Sequence, residues 1–566
     1  MVIEMLRYIA MLKKLLIGFG IAAAVVFLGL FIAARMLAGR IEPLLRSQTI
    51  AYLEKQFDSD VEMGSLDVSM AMKSPLLVML RAGKGVQAHV IGHDVKLWHK
   101  HRRDRAPLIA LKSFVFQVEL NSLLTKPYRA EMLRVEGLVV TVPPRQKAPA
   151  SKAVKNLRAE KDLTVKDLGP KPQAVDADGN KIWVILDTVI CDGTKLSVMP
   201  RDPHKDPLEF DIRKLRLTSA GPGLAMSYTA ELTNPKPPGL ILSNGHFGPW
   251  VAGEPSDTPL DGIYDFQNAD LSVFKGIAGH LNSTGKFAGL IDHIIADGET
   301  RMKDFRLTMA GNPMDLRTTY HAVIDGGNGN TLLDPVEATL GRTRFVARGG
   351  IVRGKGEDGK TVDLDVQFRE GHIEDLMRLA MKGPAMMKGP IALKVKLVLP
   401  PGKGEPYDKL RLSGTFTLEN GDFTSATVQE KIDSMSSKAQ GRPKDQSVHE
   451  VRANLAGEFA MANGVIQFPS LGLNIPGADL DLAGKYTFAE EAVDFRGKLR
   501  LDAKISQTQT GWKRWVLKPA DRFFAKEGAG TLLRIKIDGT RNDPRFSRDK
   551  DKNDPVEKTT VTQLAR

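Results

Sequence analysis

The chain has 566 residues, too many for one compact domain, so several domains or one extended, quasi-repetitive body is expected. Hydrophobic residues at 42% and charged residues at 26% are ordinary globular material, while 52 glycines and 32 prolines favour many turns between short elements. The formal charge of +13 suits acidic phospholipid headgroups or other anionic envelope polymers; it is dispersed and lacks an aromatic-flanked basic module, which argues against nucleic acid.

In chain order, the apolar run from Leu15 to Ala34 comes first. It has the roughly 20 residues that a hydrocarbon core of about 30 Å requires, which predicts one transmembrane helix containing Leu15, Ile17, Ile21, Val25, Leu28, Phe31 and Ala34. The rival reading is a cleaved signal peptide, whose apolar stretch would be about 7–15 residues with a small-residue cleavage site. Here the run continues into Arg35 and a further helix. Basic residues lie on both sides (Arg7, Lys13 and Lys14 before it; Arg35, Arg40 and Arg46 after it), so charge alone does not orient the span. Long C-terminal domains translocate largely regardless of charge, which favours a signal anchor with its N-terminus inside and the body outside the cytoplasm.

The segment from Ile41 to Phe57 is predicted to be helical, with Leu45, Thr49, Tyr52, Leu53 and Gln56 near helical spacing. From Val61 the apolar period becomes two. Phe114, Phe116, Val118 and Leu120 alternate with polar neighbours, as do Val362, Leu364, Val366 and Phe368 further on. Ile391, Leu393, Val395 and Leu397 repeat the pattern, followed by Leu410, Leu412, Phe416 and Leu418, then Leu480, Leu482, Tyr486 and Phe488. One-sided alternation of this kind predicts antiparallel sheet with one apolar face. Either two such sheets pack together or one sheet curls around a ligand.

Glycine recurs at an apolar-phase position within these segments: Gly414 before Phe416, Gly457 between Leu455 and Phe459, Gly484 before Tyr486, and Gly497 before Leu499. Such a repeat curls a sheet at bulges and close approaches, or else marks independent bends in a sandwich core. Short helices are expected at His372 to Met381 and around Val428, Ile432 and Met435, the latter followed by a polar stretch from Ser436 to Val448. Residues 143–172 form a flexible linker rich in Lys, Ala and Pro. The expected division is therefore a stub and anchor over 1–40, a helix plus β-sheet unit over 41–142, the linker, an elongated β body over 173–540 and a disordered polar tail over 541–566.

No motif carries recognisable chemistry. Gly354 to Thr361 satisfies the P-loop pattern, but Thr361 leads into a strand where a phosphate-binding helix is required, and Glu357-Asp358-Gly359 suits a hairpin turn. His89, His93, His99 and His101 are read as a solvated basic loop, because Arg102, Arg103 and Arg105 would oppose a metal cation. Asp176, Asp178 and Asn180 imitate a calcium loop, yet Lys181 replaces the required glycine and Asp187 the terminal glutamate, so a turn before a strand from Ile182 is expected. Cys191 is the only cysteine and cannot form an internal disulfide. Trp512 and Trp515 flank Lys513 and Arg514, and Phe523 and Phe524 follow Arg522; these are a membrane-interface segment or an aromatic cap over the sheet end.

The opening Lys13-Lys14-Leu15-Leu16-Ile17 with its single anchor, and the strands ending in Val135-Glu136-Gly137-Leu138-Val139-Val140-Thr141-Val142-Pro143-Pro144, resemble the AsmA family of bacterial envelope proteins. Leu410 to Gly441, and Phe495 to Phe546 with Gly528-Ala529-Gly530-Thr531 and Ile537-Asp538-Gly539-Thr540, resemble that family's C-terminal region. The resemblance covers both ends and the middle only by pattern. It implies kinship with the repeating β-groove lipid transporters, in which a curled sheet with an apolar floor carries acyl chains between membranes and supports the outer-membrane barrier.

The expected protein is thus mainly β: a transmembrane helix, then an elongated, curled antiparallel groove with a few short capping helices. It would sit in the inner membrane with its body in the periplasm, conduct phospholipids, use no cofactor or metal, catalyse nothing, and work beside other envelope or outer-membrane assembly proteins. About 25 strands would give a trough of roughly 120 Å. The candidate floor comprises Phe114, Phe116, Val118, Leu364, Val366, Leu393, Val395, Leu412, Phe416, Leu455, Phe459, Leu482, Tyr486 and Leu499, with Arg35, Arg40 and Arg46 as headgroup contacts at the rim. The alternatives are a non-transporting scaffold with a self-packed sheet, and a hydrolase whose site is assembled from distant residues.

Overall fold

The computed structural model describes residues 43, 46–47, 49–70, 87–119, 128–144, 184–200, 207–220, 224–354, 359–443, 449–510, 512–518, 521, 530–540 and 543–549. The predicted membrane span, most of the linker, the central part of the P-loop-like segment, the calcium-like turn up to residue 183, the Phe523–Phe524 pair and the tail beyond residue 549 lie outside them. Among the described residues no helix is long and apolar enough to cross a membrane.

The described residues fold as one 26-stranded sheet, in which nearly every strand pairs with its successor. The first part comprises β1 (Ser59–Met70), β2 (Gln87–His99), β3 (Ile109–Glu119), β4 (Tyr128–Glu136), β5 (Val139–Val142), β6 (Val184–Val198), β7 (Leu208–Ala220), β8 (Met226–Pro235) and β9 (Pro238–Phe247). The middle comprises β10 (Pro259–Asp270), β11 (Ile277–Ala278), β12 (His280–Leu290), β13 (His293–Leu307), β14 (Met314–Asp325), β15 (Thr331–Leu340), β16 (Thr343–Val352) and β17 (Thr361–His372). The remainder comprises β18 (Met387–Lys388), β19 (Pro390–Leu399), β20 (Arg411–Phe423), β21 (Ala453–Ala462), β22 (Val465–Ile475), β23 (Ala478–Thr487), β24 (Ala492–Leu501), β25 (Thr531–Thr540) and β26 (Asp543–Arg548). Tight turns suit such a meander: Asn463 and Gly464, both left-handed at φ 52° and 70°, join β21 to β22.

One departure from the antiparallel expectation is local. β4 and β5 each pair with β6 in parallel, so the strands on either side of the predicted linker belong to the same sheet. A parallel neighbour needs a long crossover, and the 41 residues between Val142 and Val184 provide one. The histidine-rich segment also differs from the expected loop. His89, His93 and His99 lie on β2, a strand with near-alternate residues buried, and only His101 lies in the following turn, where it bonds the Asp60 carboxylate.

Among the described residues, four helices longer than one turn flank the sheet: α1 over 49–57, α2 (Ile373–Ala380), α3 (Ala426–Ala439) and α4 (Trp512–Leu517). Ile50, Leu53 and Phe57 of α1 pack on Val61, Met63, Leu66, Val90, Val95 and Leu97. Ile373, Leu376 and Met377 of α2 join Ile432, Met435 and Ala439 of α3 over Ile391, Leu418, Ala453, Ile475 and Leu501. Both predicted internal helices form, and they cover the ends of the strands, leaving their middles uncovered by helix.

The staple that holds α2 is polar. The buried Asp375 carboxylate accepts from the Arg342 amide (2.9 Å), the Thr343 amide (3.0 Å) and Thr343 Oγ1 (3.0 Å) in the β15–β16 turn. Gly341 leads that turn at φ 59°, and a Cβ there would lie 2.8 Å from Asp375 Oδ1, so only glycine fits. α3 is tied similarly: Asp433 accepts from the Glu450 and Val451 amides, and Ser436 donates to the Pro476 carbonyl.

Candidate functional site: the apolar face of the sheet

Strand pairing converts the two-residue period of the sequence into rows that run across the sheet. Starting at β2, Gly92 stands opposite Phe114, then Val135, Cys191, Leu215, Ala230, Ser243 and Tyr264 on successive strands. From Tyr264 the same row passes through Gly285, Gly298, Tyr320, Val336 and Ala347 to Val366. It then crosses Val395, Gly414 and Phe459. One apolar face therefore runs from β2 to β21 without changing sides.

Beside that row, Leu364, Leu397, Leu412, Met461, Ile466 and Tyr486 stand in register. On its other side Leu393 pairs with Phe416, then Gly457, Leu471, Leu482 and Gly497. Leu455 and Leu499 belong to a fourth row with Leu418, Leu473, Leu480 and Leu533. In β3, Phe116 stands opposite Val90 and Leu133, and Val118 opposite Ala88. The structure thus places all fourteen predicted floor residues on the same face.

Their burial is intermediate, not complete. Of the fourteen, Val118 alone is fully buried, at 4% exposure, and the others keep part of their surface open. A self-packed sheet core would drive such leucines and phenylalanines towards zero. The reverse face is charged: Lys396 bonds Asp363 and lies 3.5 Å from Asp365, and Arg500 lies 3.3 Å from Asp481.

The strand glycines sit where a neighbouring backbone comes close. A Cβ on Gly414 would lie 2.2 Å from the Lys394 carbonyl oxygen, and one on Gly497 would lie 1.9 Å from that of Asp481. Aromatic side chains spread over others: the Phe416 ring would lie 3.1 Å from a Cβ on Gly457, and Phe495 Cδ1 2.6 Å from one on Gly484. These contacts agree with the bend-and-close-approach reading of the glycine repeat.

Sequence reasoning does not place several residues of this face. Cys191 lies inside the long row, 1% exposed, with burial pushing its thiol up to about 11 and Asp192 adding to the shift, so it is a packing residue and not a reactive thiolate. Tyr228, Tyr264 and Tyr320 also line the face; extending the alternation with glycine into β12 and β13 would have found their row. Arg46, expected at a lipid rim, instead bonds the Met63 and Gly64 carbonyls of β1, and Arg35 and Arg40 lie outside the described residues. Trp512 and Trp515 fall on α4.

The outward face carries His–Asp pairs across adjacent strands: His246 with Asp261 at 3.0 Å, His280 with Asp304 at 2.8 Å and His321 with Asp297 at 2.7 Å. A depression of about 550 Å³ lies beside the last pair, lined by Lys286, Glu299 and Glu337. It is on the side opposite the apolar rows. Among the described residues no three histidine, cysteine or carboxylate groups are placed to hold a metal.

Comparison of this chain with protein-family profiles, with curated proteins and with solved structures finds no match.

Proposed function

We propose that the apolar rows are the floor of an elongated, open groove that carries phospholipid acyl chains. The observation that carries this reading is the partial exposure of an apolar face that keeps its side across nearly the whole sheet. Apolar surface left open gains about 25 cal/mol per Å² when an acyl chain covers it. Along a uniform floor each chain position is equivalent to the next, so sliding costs little and needs no nucleophile or cofactor. Curling of the sheet, supported by the close backbone approaches at Gly414 and Gly497, gives the face walls.

With the apolar run Leu15 to Ala34 as an anchor, and in keeping with the resemblance to AsmA proteins, the protein would sit in the inner membrane and pass lipid through the periplasm towards the outer membrane. The test is lipid analysis of the full chain. Bound phospholipid should be found with wild type and be lost in Leu412→Asp and Leu482→Asp, which place a charge on the floor while leaving the anchor untouched. Equal lipid content in the variants would overturn the proposal.

A further inference from the structure

Hydroxyl groups break the apolar rows where they cross β8 to β14. Ser243 Oγ donates to the Ile263 carbonyl (2.9 Å), and Ser283 Oγ donates to the Glu299 carbonyl (2.9 Å). A serine has one proton, so the arrangement that satisfies every contact at once has Tyr228 donating to Ser243 (2.9 Å) and Tyr264 donating to Ser283 (3.2 Å). In that arrangement the Tyr264 proton is committed, and the bond between the Tyr264 and Tyr320 hydroxyls is donated by Tyr320.

The two phenols meet over glycine. A Cβ on Gly298 would lie 2.4 Å from the Tyr264 hydroxyl and 2.9 Å from that of Tyr320, and a Cβ on Gly285 would lie 2.6 Å from the former. Any other residue at either position would displace the bridge.

All three phenol protons therefore point at protein oxygens, while the phenol oxygens keep unused lone pairs. The cluster accepts and does not donate. Burial pushes Tyr228 up to about 12 and Tyr264 higher still, so both remain neutral phenols. The Phe287 ring, 6.5 Å from that of Tyr264, adds a π face beside the cluster.

We propose that this cluster is a selectivity point in the groove that takes the ammonium end of a long-chain amphiphile and rejects a carboxylate end. The proposal rests on the groove reading above. It runs against the chain's overall positive charge, which would favour the anion.

The experiment titrates the full chain at neutral pH with dodecylammonium and dodecanoate, each below its micellar concentration. Wild type should bind dodecylammonium about tenfold more tightly, equivalent to about 1.4 kcal/mol. Tyr264→Phe removes the acceptor for the Tyr320 proton, leaving a free donor, so dodecanoate binding should rise severalfold. Tyr320→Phe frees no donor; it should weaken dodecylammonium binding without helping dodecanoate. Equal affinity for the two probes, or a preference unchanged by both substitutions, overturns the selectivity point and leaves the groove standing. Binding of neither probe overturns the groove as well.

Discussion

The ring of Phe57 lies 5.9 Å from that of Trp250, tilted by 57°, and Trp250 lies 6.2 Å from Phe247. Phe57 ends α1 beside β1, whereas Trp250 follows β9. Seven pairing steps separate β1 from β9, so in a flat sheet at about 4.8 Å per strand these points would be roughly 34 Å apart. Their contact requires the intervening strands to coil.

If this contact helps to hold the coil, the two residues are energetically coupled. A double-mutant cycle with Phe57→Ala and Trp250→Ala, read on hydrogen-exchange protection of β1, should give a coupling of about 0.5–1.5 kcal/mol. Additive effects would mean that the first strands are held by pairing alone.

The strand glycines make a matched pair of tests. A Cβ on Gly497 would lie 1.9 Å from the Asp481 carbonyl oxygen, whereas one on Gly472 would meet nothing nearer than 3.7 Å. Gly497→Ala should therefore destabilise the β23–β24 pairing by about 1–3 kcal/mol, the usual scale for overpacking. Gly472→Ala should be close to neutral. Equal protease sensitivity of the two variants would contradict the close approach.

Asp375 makes a third prediction. Replacing it with alanine strands the Arg342 and Thr343 amides of the β15–β16 turn, at a cost of about 3 kcal/mol. The loss should appear first as exchange and proteolysis at α2 and the β15–β16 turn. Asp375→Asn, which keeps one acceptor oxygen, should fall between wild type and alanine.

How much of this is legible in the sequence depends on which interaction sets each feature. The period of two from Leu364 to Phe368, or from Ile391 to Leu397, is local, so strand, face and apolar content can be read directly. The helix at Ile373 to Ala380 announces itself in the same way through Ile373, Leu376 and Met377.

Pairing partners are not local. Nothing near Tyr264 states that Gly285, Gly298 and Tyr320 stand beside it, because that row exists only once four strands are in register. The parallel pairing of β4 with β6 is hidden for the same reason, since it depends on a crossover and not on the composition of either strand. The histidines near residue 90 read as loop because the basic turn that follows them masks the alternation of Ala88, Val90 and Gly92 on β2.

Whether the apolar face holds lipid decides the groove reading. The most direct measurement is native mass spectrometry of the full chain, released from membranes in mild detergent, beside its Leu412→Asp and Leu482→Asp variants. Phospholipid adducts should appear on wild type and be lost in both variants, with the β-sheet circular dichroism unchanged. A wild-type chain free of lipid, or variants that retain the same adducts, would contradict a lipid-carrying groove.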